Sequence, residues 1–93
     1  MKLLYTALAR ADLDAILRHI AATYPAAHDG FIQRLKAIER RIAQWPMSAY
    51  AVDQREGVRV VPMIRYPYKI FDEIADGVVR ILHVRHAARV DFS

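Results

Sequence analysis

A change of hydrophobic period near Pro46 constrains this chain more than any other feature. Before it, apolar residues recur at helical intervals. Leu13, Ile16, Leu17, Ile20 and Tyr24 form one such series, and Phe31, Leu35, Ile38, Ile42 and Trp45 form a second. Each lies along one side of an α-helix, and the second is the narrow seam of a helix packed against another. Arg10, Asp14 and Arg18 fall off the first stripe, and Arg34, Glu39, Arg40 and Arg41 lie mostly off the second. Pro25 and Pro46 end the helices, because the residue before a proline is pushed out of the helical region. The short link between them predicts an antiparallel hairpin. After Met47 the period falls to two. Val58, Val60, Ile64, Tyr66, Tyr68 and Ile70 all occupy even positions, and β-branched and aromatic residues at that period indicate strands. Pro62 and Pro67 cannot donate to a ladder, so they mark bulges, turn flanks or an edge.

The ends complete the pattern. Leu3, Leu4 and Tyr5 form a short first strand, and Thr6 offers a hydroxyl to cap the first helix. Asp76-Gly77 separates two apolar runs and supplies the positive φ values of a type I′ hairpin. The last run, Val78 to about Arg85, is apolar on both parities, as in a strand covered on both faces. The predicted fold class is α+β: an N-terminal strand, then an antiparallel helical hairpin packed on a mostly antiparallel four-stranded sheet, in the order β-α-α-β-β-β. One sheet face is left to meet solvent or a partner.

Composition limits what such a fold can do. The chain has 93 residues, of which 55% are hydrophobic. That is enough for one core and too little for two, so residues 1–93 are read as one domain. Cysteine is absent, which removes disulfides, thiolate metal sites and cysteine nucleophiles. No apolar run approaches the length of a membrane span, and the start, Met1-Lys2-Leu3-Leu4-Tyr5-Thr6, lacks the apolar region of a signal peptide. A cytoplasmic location without membrane association is the expectation. The charge is +4, an excess that suits nucleic acid or an acidic protein equally. Its local concentration is Arg80, His83, Arg85, His86 and Arg89, with no acid before Asp91.

Four passages resemble the ParE branch of the RelE/ParE superfamily of bacterial type II toxins. Ala11-Asp12-Leu13-Asp14-Ala15-Ile16 is similar to the A-x-x-D-L-x-x-I opening of its first helix, and Ala43-Gln44-Trp45-Pro46 to the L-x-x-x-P end of its second. Arg59-Val60-Val61-Pro62 with Arg65-Tyr66-Pro67-Tyr68-Lys69-Ile70-Phe71 is similar to its middle strands. Ile81 to Arg89 is similar to its I-L-x-V-x-H-x-x-R ending. The order and spacing cover nearly the whole chain.

The resemblance implies a toxin made beside a ParD-like antitoxin. The antitoxin's N-terminal half binds operator DNA and its C-terminal tail folds on the toxin, in a hetero-oligomeric complex. It implies DNA gyrase as the target of the free toxin. RelE-like relatives on the same fold cut messenger RNA on the ribosome, so an endoribonuclease is the alternative, and a non-toxic antitoxin-binding member is another. The family often has tyrosine after I-F, whereas Ile70-Phe71 is followed here by Asp72. If Asp72 faces the core, an unpaired carboxylate there weakens folding or toxicity.

RNA cleavage by the neighbouring 2′-hydroxyl needs a base, a cation and an acid. His86 is the leading catalytic candidate, with Arg65 and Arg85 as cations; His83, Lys69, Arg80 and Arg89 are further possibilities. The set is incomplete, because Ala87 follows His86 and no tyrosine follows in Val90-Asp91-Phe92-Ser93. The bland reading of His86 is a strand-end histidine bonded locally. His83 and His86 fall on opposite faces of a strand and do not share a metal; neither a metal nor a cofactor is expected. Asp12 and Asp14 suit the dipole of the first helix. Arg59, Arg65 and Lys69 share a parity, which makes either a solvated sheet face or a partner-binding one. With Arg80, Arg85, His86 and Arg89 they form the predicted antitoxin- or target-binding set, since an acidic amphipathic tail is held by cations and apolar contacts together.

Overall fold

The computed structural model describes residues 1–48, 50–51 and 56–88. Strand β1 (Lys2–Tyr5) leads into α1 (Ala7–Thr23). A 3-10 turn at Pro25–Ala27 joins it to α2 (His28–Gln44), and a second at Pro46–Ser48 precedes the remaining strands. These are β2 (Tyr50–Ala51), β3 (Val58–Pro62), β4 (Tyr68–Ala75) and β5 (Val78–His86). The sheet order is β1-β5-β4-β3-β2. β1 runs parallel to β5, and the other pairings are antiparallel. The four predicted strands are present, and the two-residue β2 adds an edge beside Val60 and Arg59. No described helix is long and apolar enough to cross a membrane.

Local chemistry sets the boundaries. Thr6 Oγ1 accepts the Ala9 amide at 3.1 Å and donates to the Leu82 carbonyl at 3.2 Å, so one hydroxyl caps α1 and ties it to β5. Asp76 and Gly77 take φ values of 54° and 74°, and Ala75 pairs with Val78 around them; this is the expected hairpin. Leu82 is the extra residue of a bulge, because Phe71 pairs with His83 while Asp72 pairs with Ile81.

The main core lies between the helices and one sheet face. Ala9, Ile20, Phe31, Leu35, Ile38 and Ile42 pack there with Val61, Met63, Ile70, Val79, Ile81 and Val84. A smaller cluster of Val58, Phe71 and Leu82, with Val60, occupies the other parity and hence the outer face. β5 therefore has apolar contacts on both sides, as its two-parity pattern predicts.

The ends of both helical stripes depart from expectation. Tyr24 is 65% exposed and Trp45 63%. Each follows the last helical residue with an extended φ, −138° and −129°, which swings the ring off the seam before the proline. Ile64 departs too: β3 stops at Pro62, and Ile64 stands 61% exposed in the turn that follows.

Phe31 is the packing centre. It is fully buried, and Tyr66 and Tyr68 meet its ring edge-on, with centroids 5.5 and 5.8 Å away. Phe31→Ala removes the largest buried ring of α2 and both aromatic contacts. It should lower the unfolding free energy by about 3–5 kcal/mol, a large part of the roughly 5–14 kcal/mol available to a domain of this size. Urea titration checks this; a loss below about 1 kcal/mol would remove Phe31 from the centre of the core.

Candidate functional site

The predicted cations separate into three environments. Arg59 lies on the helix side of β3 with Val61, directly opposite Asp72 on β4. Its Nε and Nη2 donate to Asp72 Oδ1 at 3.1 and 2.8 Å, and its Nη1 lies 3.1 Å from the Met47 sulfur. Arg59 is 8% exposed and Asp72 fully buried. Two expectations are corrected by this geometry. Arg59 is not on a solvated or partner-binding face, because it is the counter-charge of a buried carboxylate. Asp72 faces the core but is not unpaired. Its Oδ2 is buried and receives no hydrogen bond among the described residues. Burial raises the Asp72 pKa above the ordinary carboxylate value, and Arg59 offsets only part of that rise.

The outer face of the sheet holds the second group. Lys69 and Arg85 are directly opposite on adjacent strands, an arrangement of like charges that opposes pairing and favours an anion above it. The Lys69 ammonium lies 5.5 Å from the Phe71 ring centre. Arg80 reaches Glu73 at 3.0 Å, an exposed pair that contributes little to stability. Arg85 Nη2 approaches His83 Nε2 at 3.4 Å, and its buried Nε has no hydrogen-bond partner among the described residues.

His83 is held from its other side by Asp12, whose Oδ2 lies 3.1 Å from His83 Nδ1. The same oxygen accepts the Val84 amide at 3.1 Å. Asp12 lies beyond the first turn of α1, so the helix dipole does not account for it: it closes the open edge of β5 and orients a histidine. With Arg85 donating to Nε2, the proton belongs on Nδ1, facing the carboxylate. A separation of 71 residues between the partners leaves no local sequence signal for this couple.

His86 belongs to the third environment. It shares the parity of Val84, on the helix side of the sheet, and is exposed at its end. Its ring meets Tyr68 edge-on at 5.8 Å, and its Nδ1 accepts the Ala88 amide at 3.1 Å. Arg85 and His86 thus point to opposite faces, so the leading base is not brought to this cation, whereas the further candidate His83 meets Arg85. Arg65 is on no strand: it sits in the turn between β3 and β4 at φ 80°, where a non-glycine residue bears about 1–2 kcal/mol of strain. It does not share a face with Arg59 or Lys69. Arg89 lies outside the described residues. No cluster of metal-ligating side chains occurs among the described residues.

The sequence pattern of the ParE toxin of type II toxin–antitoxin systems matches residues 3–91. The chain belongs to the ParE toxin family. Toxin RelE2 of Caulobacter vibrioides is 36% identical over 90 residues, spanning 96% of this chain and 98% of that one. Among solved structures, a chain of the chromosomal ParDE toxin–antitoxin system of P. aeruginosa matches with a TM-score of 0.79 and 25% identity, covering 92% of this chain and 95% of that one. The YoeB/ParE toxin of Agrobacterium tumefaciens shares the fold, with a TM-score of 0.63, 11% identity and 92% and 98% coverage. After Ile70-Phe71 this ParE-family chain places an aspartate that is paired with Arg59.

The buried pair has a measurable signature. Arg59→Ala leaves the Asp72 carboxylate without its counter-charge and should destabilise by about 3–5 kcal/mol at neutral pH. The pH dependence follows from the raised pKa: the folded state holds the Asp72 proton more tightly than the unfolded chain does. Its contribution is complete below the ordinary value of 3.8 and is lost as pH rises through the folded value. Asp72→Asn cannot titrate, so the stability of the parent relative to this variant should fall over that range. A difference that stays flat with pH in urea unfolding would overturn the assignment.

Proposed function

We propose that this ParE-family toxin binds and inhibits DNA gyrase, and that a ParD-like antitoxin holds it inactive in a hetero-oligomeric complex in the cytoplasm. Residues 1–93 act in this reading as one toxin domain, and operator DNA is reached only through the antitoxin. The observation that carries it is the division of the ribonuclease candidates: His86 is on the helix side of β5, while Lys69 and Arg85 are on the outer face. A protein that inhibits by binding needs no assembled acid–base set. The Lys69–Arg85 pair, with Arg80 nearby, then serves as a cationic surface for an acidic partner rather than as a phosphate clamp.

Supercoiling assays with purified toxin test this. Gyrase activity should be lost at saturating toxin, and His86→Ala should inhibit as well as the parent. Supercoiling unaffected by saturating toxin overturns the gyrase reading.

One observation favours a second reading. The Asp12–His83 couple, beside Arg85, has the form of an oriented acid–base group, and a relative 36% identical is named Toxin RelE2. A ribosome-dependent endoribonuclease would then use His83 rather than His86. Messenger RNA with codon-linked ends, absent for His83→Ala but present for His86→Ala, selects it. The non-toxic reading gains weight from a core-facing Asp72, and the Arg59 pairing lessens that weight. Growth arrest on expression without antitoxin is the expected outcome, and normal growth would restore the non-toxic reading.

The antitoxin interaction should be steered by charge. Its association rate is expected to fall on the order of tenfold as salt rises from about 0.05 to 0.5 M, with less change in dissociation. Stopped-flow mixing measures both, and an association rate indifferent to salt removes the electrostatic argument.

A further inference from the structure

The turn between β3 and β4 is docked hard against α2. Tyr66 packs on Phe31, and its hydroxyl sits so close to Gly30 that a Cβ there would approach it to 2.6 Å. This fixes two different concavities on either flank of the turn. One is a cleft of about 350 Å³ lined by Arg34 of α2 with Ile64 and Arg65 of the turn. The other is a groove of about 200 Å³ whose walls include Tyr24, Tyr66, Pro67, Tyr68 and His86.

The cleft has the chemistry of a carboxylate receptor. Two guanidinium groups line it, and no acidic side chain is among its described lining residues. Arg34 Nε is buried and has no hydrogen-bond partner among the described residues, which leaves a desolvated donor unsatisfied. Arg65 is held at φ 80°, a conformation suited to glycine; strain of this kind is retained where a side chain is needed. Planar guanidinium forks match a carboxylate in bidentate fashion. The groove complements this with an aromatic, mostly apolar surface, and Tyr24 stands 65% exposed at its side.

We propose that this turn is a docking surface for an acidic amphipathic segment of the antitoxin, with a carboxylate in the Arg34–Arg65 cleft and an apolar side chain in the Tyr24–Tyr66–Tyr68 groove. It rests on the antitoxin reading above for the partner and differs from it in place, moving the main contact from the outer sheet face to the α2–turn edge. Nucleic acid is the less suitable occupant: exposed Ile64 stands at the cleft beside the arginines, where a phosphate backbone would favour further cations.

The probe is a fluorescent capped peptide of alternating glutamate and leucine pairs, with a uridine hexanucleotide as competitor. The purified toxin should bind the peptide, and Arg34→Gln should weaken binding about tenfold, as loss of a charge-assisted pair does. Arg65→Gly should weaken it similarly while raising the melting temperature, because the strain is relieved; a purely structural arginine would not separate the two readouts. Tyr24→Ser should weaken binding several-fold, and Arg10→Gln, an exposed cation near the start of α1 and away from the turn, should leave it unchanged. Absence of peptide binding at millimolar concentration overturns the proposal, as do unchanged affinities in the Arg34 and Arg65 variants. Displacement by the hexanucleotide that depends on both arginines overturns it in favour of a nucleic-acid site. Growth arrest and supercoiling are read separately on the parent toxin, so failure of the toxin reading leaves a different record from failure of this surface.

Discussion

The molecule depends on how the free edge of β5 is closed. β1 is four residues long and its last pair is Tyr5 with Ile81, yet β5 continues to His86. From Leu82 onward that edge has no strand beside it among the described residues. The N-terminal part of α1 takes over: the Thr6 amide donates to the Ile81 carbonyl at 3.0 Å, the Thr6 hydroxyl to the Leu82 carbonyl, and Asp12 receives the Val84 amide. Backbone groups left without partners there would each cost about 1–3 kcal/mol, so side chains of a helix substitute for a strand. The consequence reaches further than the edge. It sets the position of α1 on the sheet, brings Ala9 and Ile20 into the core, and holds His83 beside a carboxylate.

Charge inside and outside the sheet follows from the same register. Odd residues of β3 and even residues of β4 turn toward the helices, so Arg59 meets Asp72 across the strands and both are buried. A paired buried ion gains little over a hydrophobic pair of similar volume, so Asp72 is tolerated rather than favoured. A carboxylate is accommodated at position 72 because Arg59 places a guanidinium 2.8 Å from it. On the opposite parity, Lys69 faces Arg85 on the outer side of the sheet. The protein therefore neutralises the charge it buries and keeps Lys69 and Arg85 side by side on its outer face.

Elements were readable in the sequence where the determinant is local. The seam Phe31–Leu35–Ile38–Ile42 is buried as its spacing predicts, and Asp76-Gly77 forms the turn its dipeptide demands. The Thr6 cap is equally local. Failures occur where a residue's fate depends on distant chain. Asp12 reads as a helix-dipole acid until β5 arrives beside it. Arg34 reads as a solubilising residue until the β3–β4 turn closes over Gly30 and places Arg65 next to it. Arg59 and Lys69 share a parity in number, but the intervening turn reverses the chain, so one faces the helices and the other the outside. Parity carries no information across a turn whose length is not known in advance.

That last point bears on how one fold serves two targets. The backbone of this chain matches a ParDE-system chain and a YoeB/ParE toxin, so the scaffold alone does not decide what the protein acts on. The choice lies in which side chains share a face. Adding one residue to the β4–β5 turn, or moving the Leu82 bulge, would shift the cations of β4 relative to the histidines of β5. In the present register His83 and Arg85 stand together while His86 is turned away, and Lys69 opposes Arg85 instead of a histidine. A nuclease on this scaffold must place its base, its cation and its acid on one face of two strands. A binding inhibitor needs only a surface of the right shape and charge, which makes its function tolerant of the register that a nuclease cannot change.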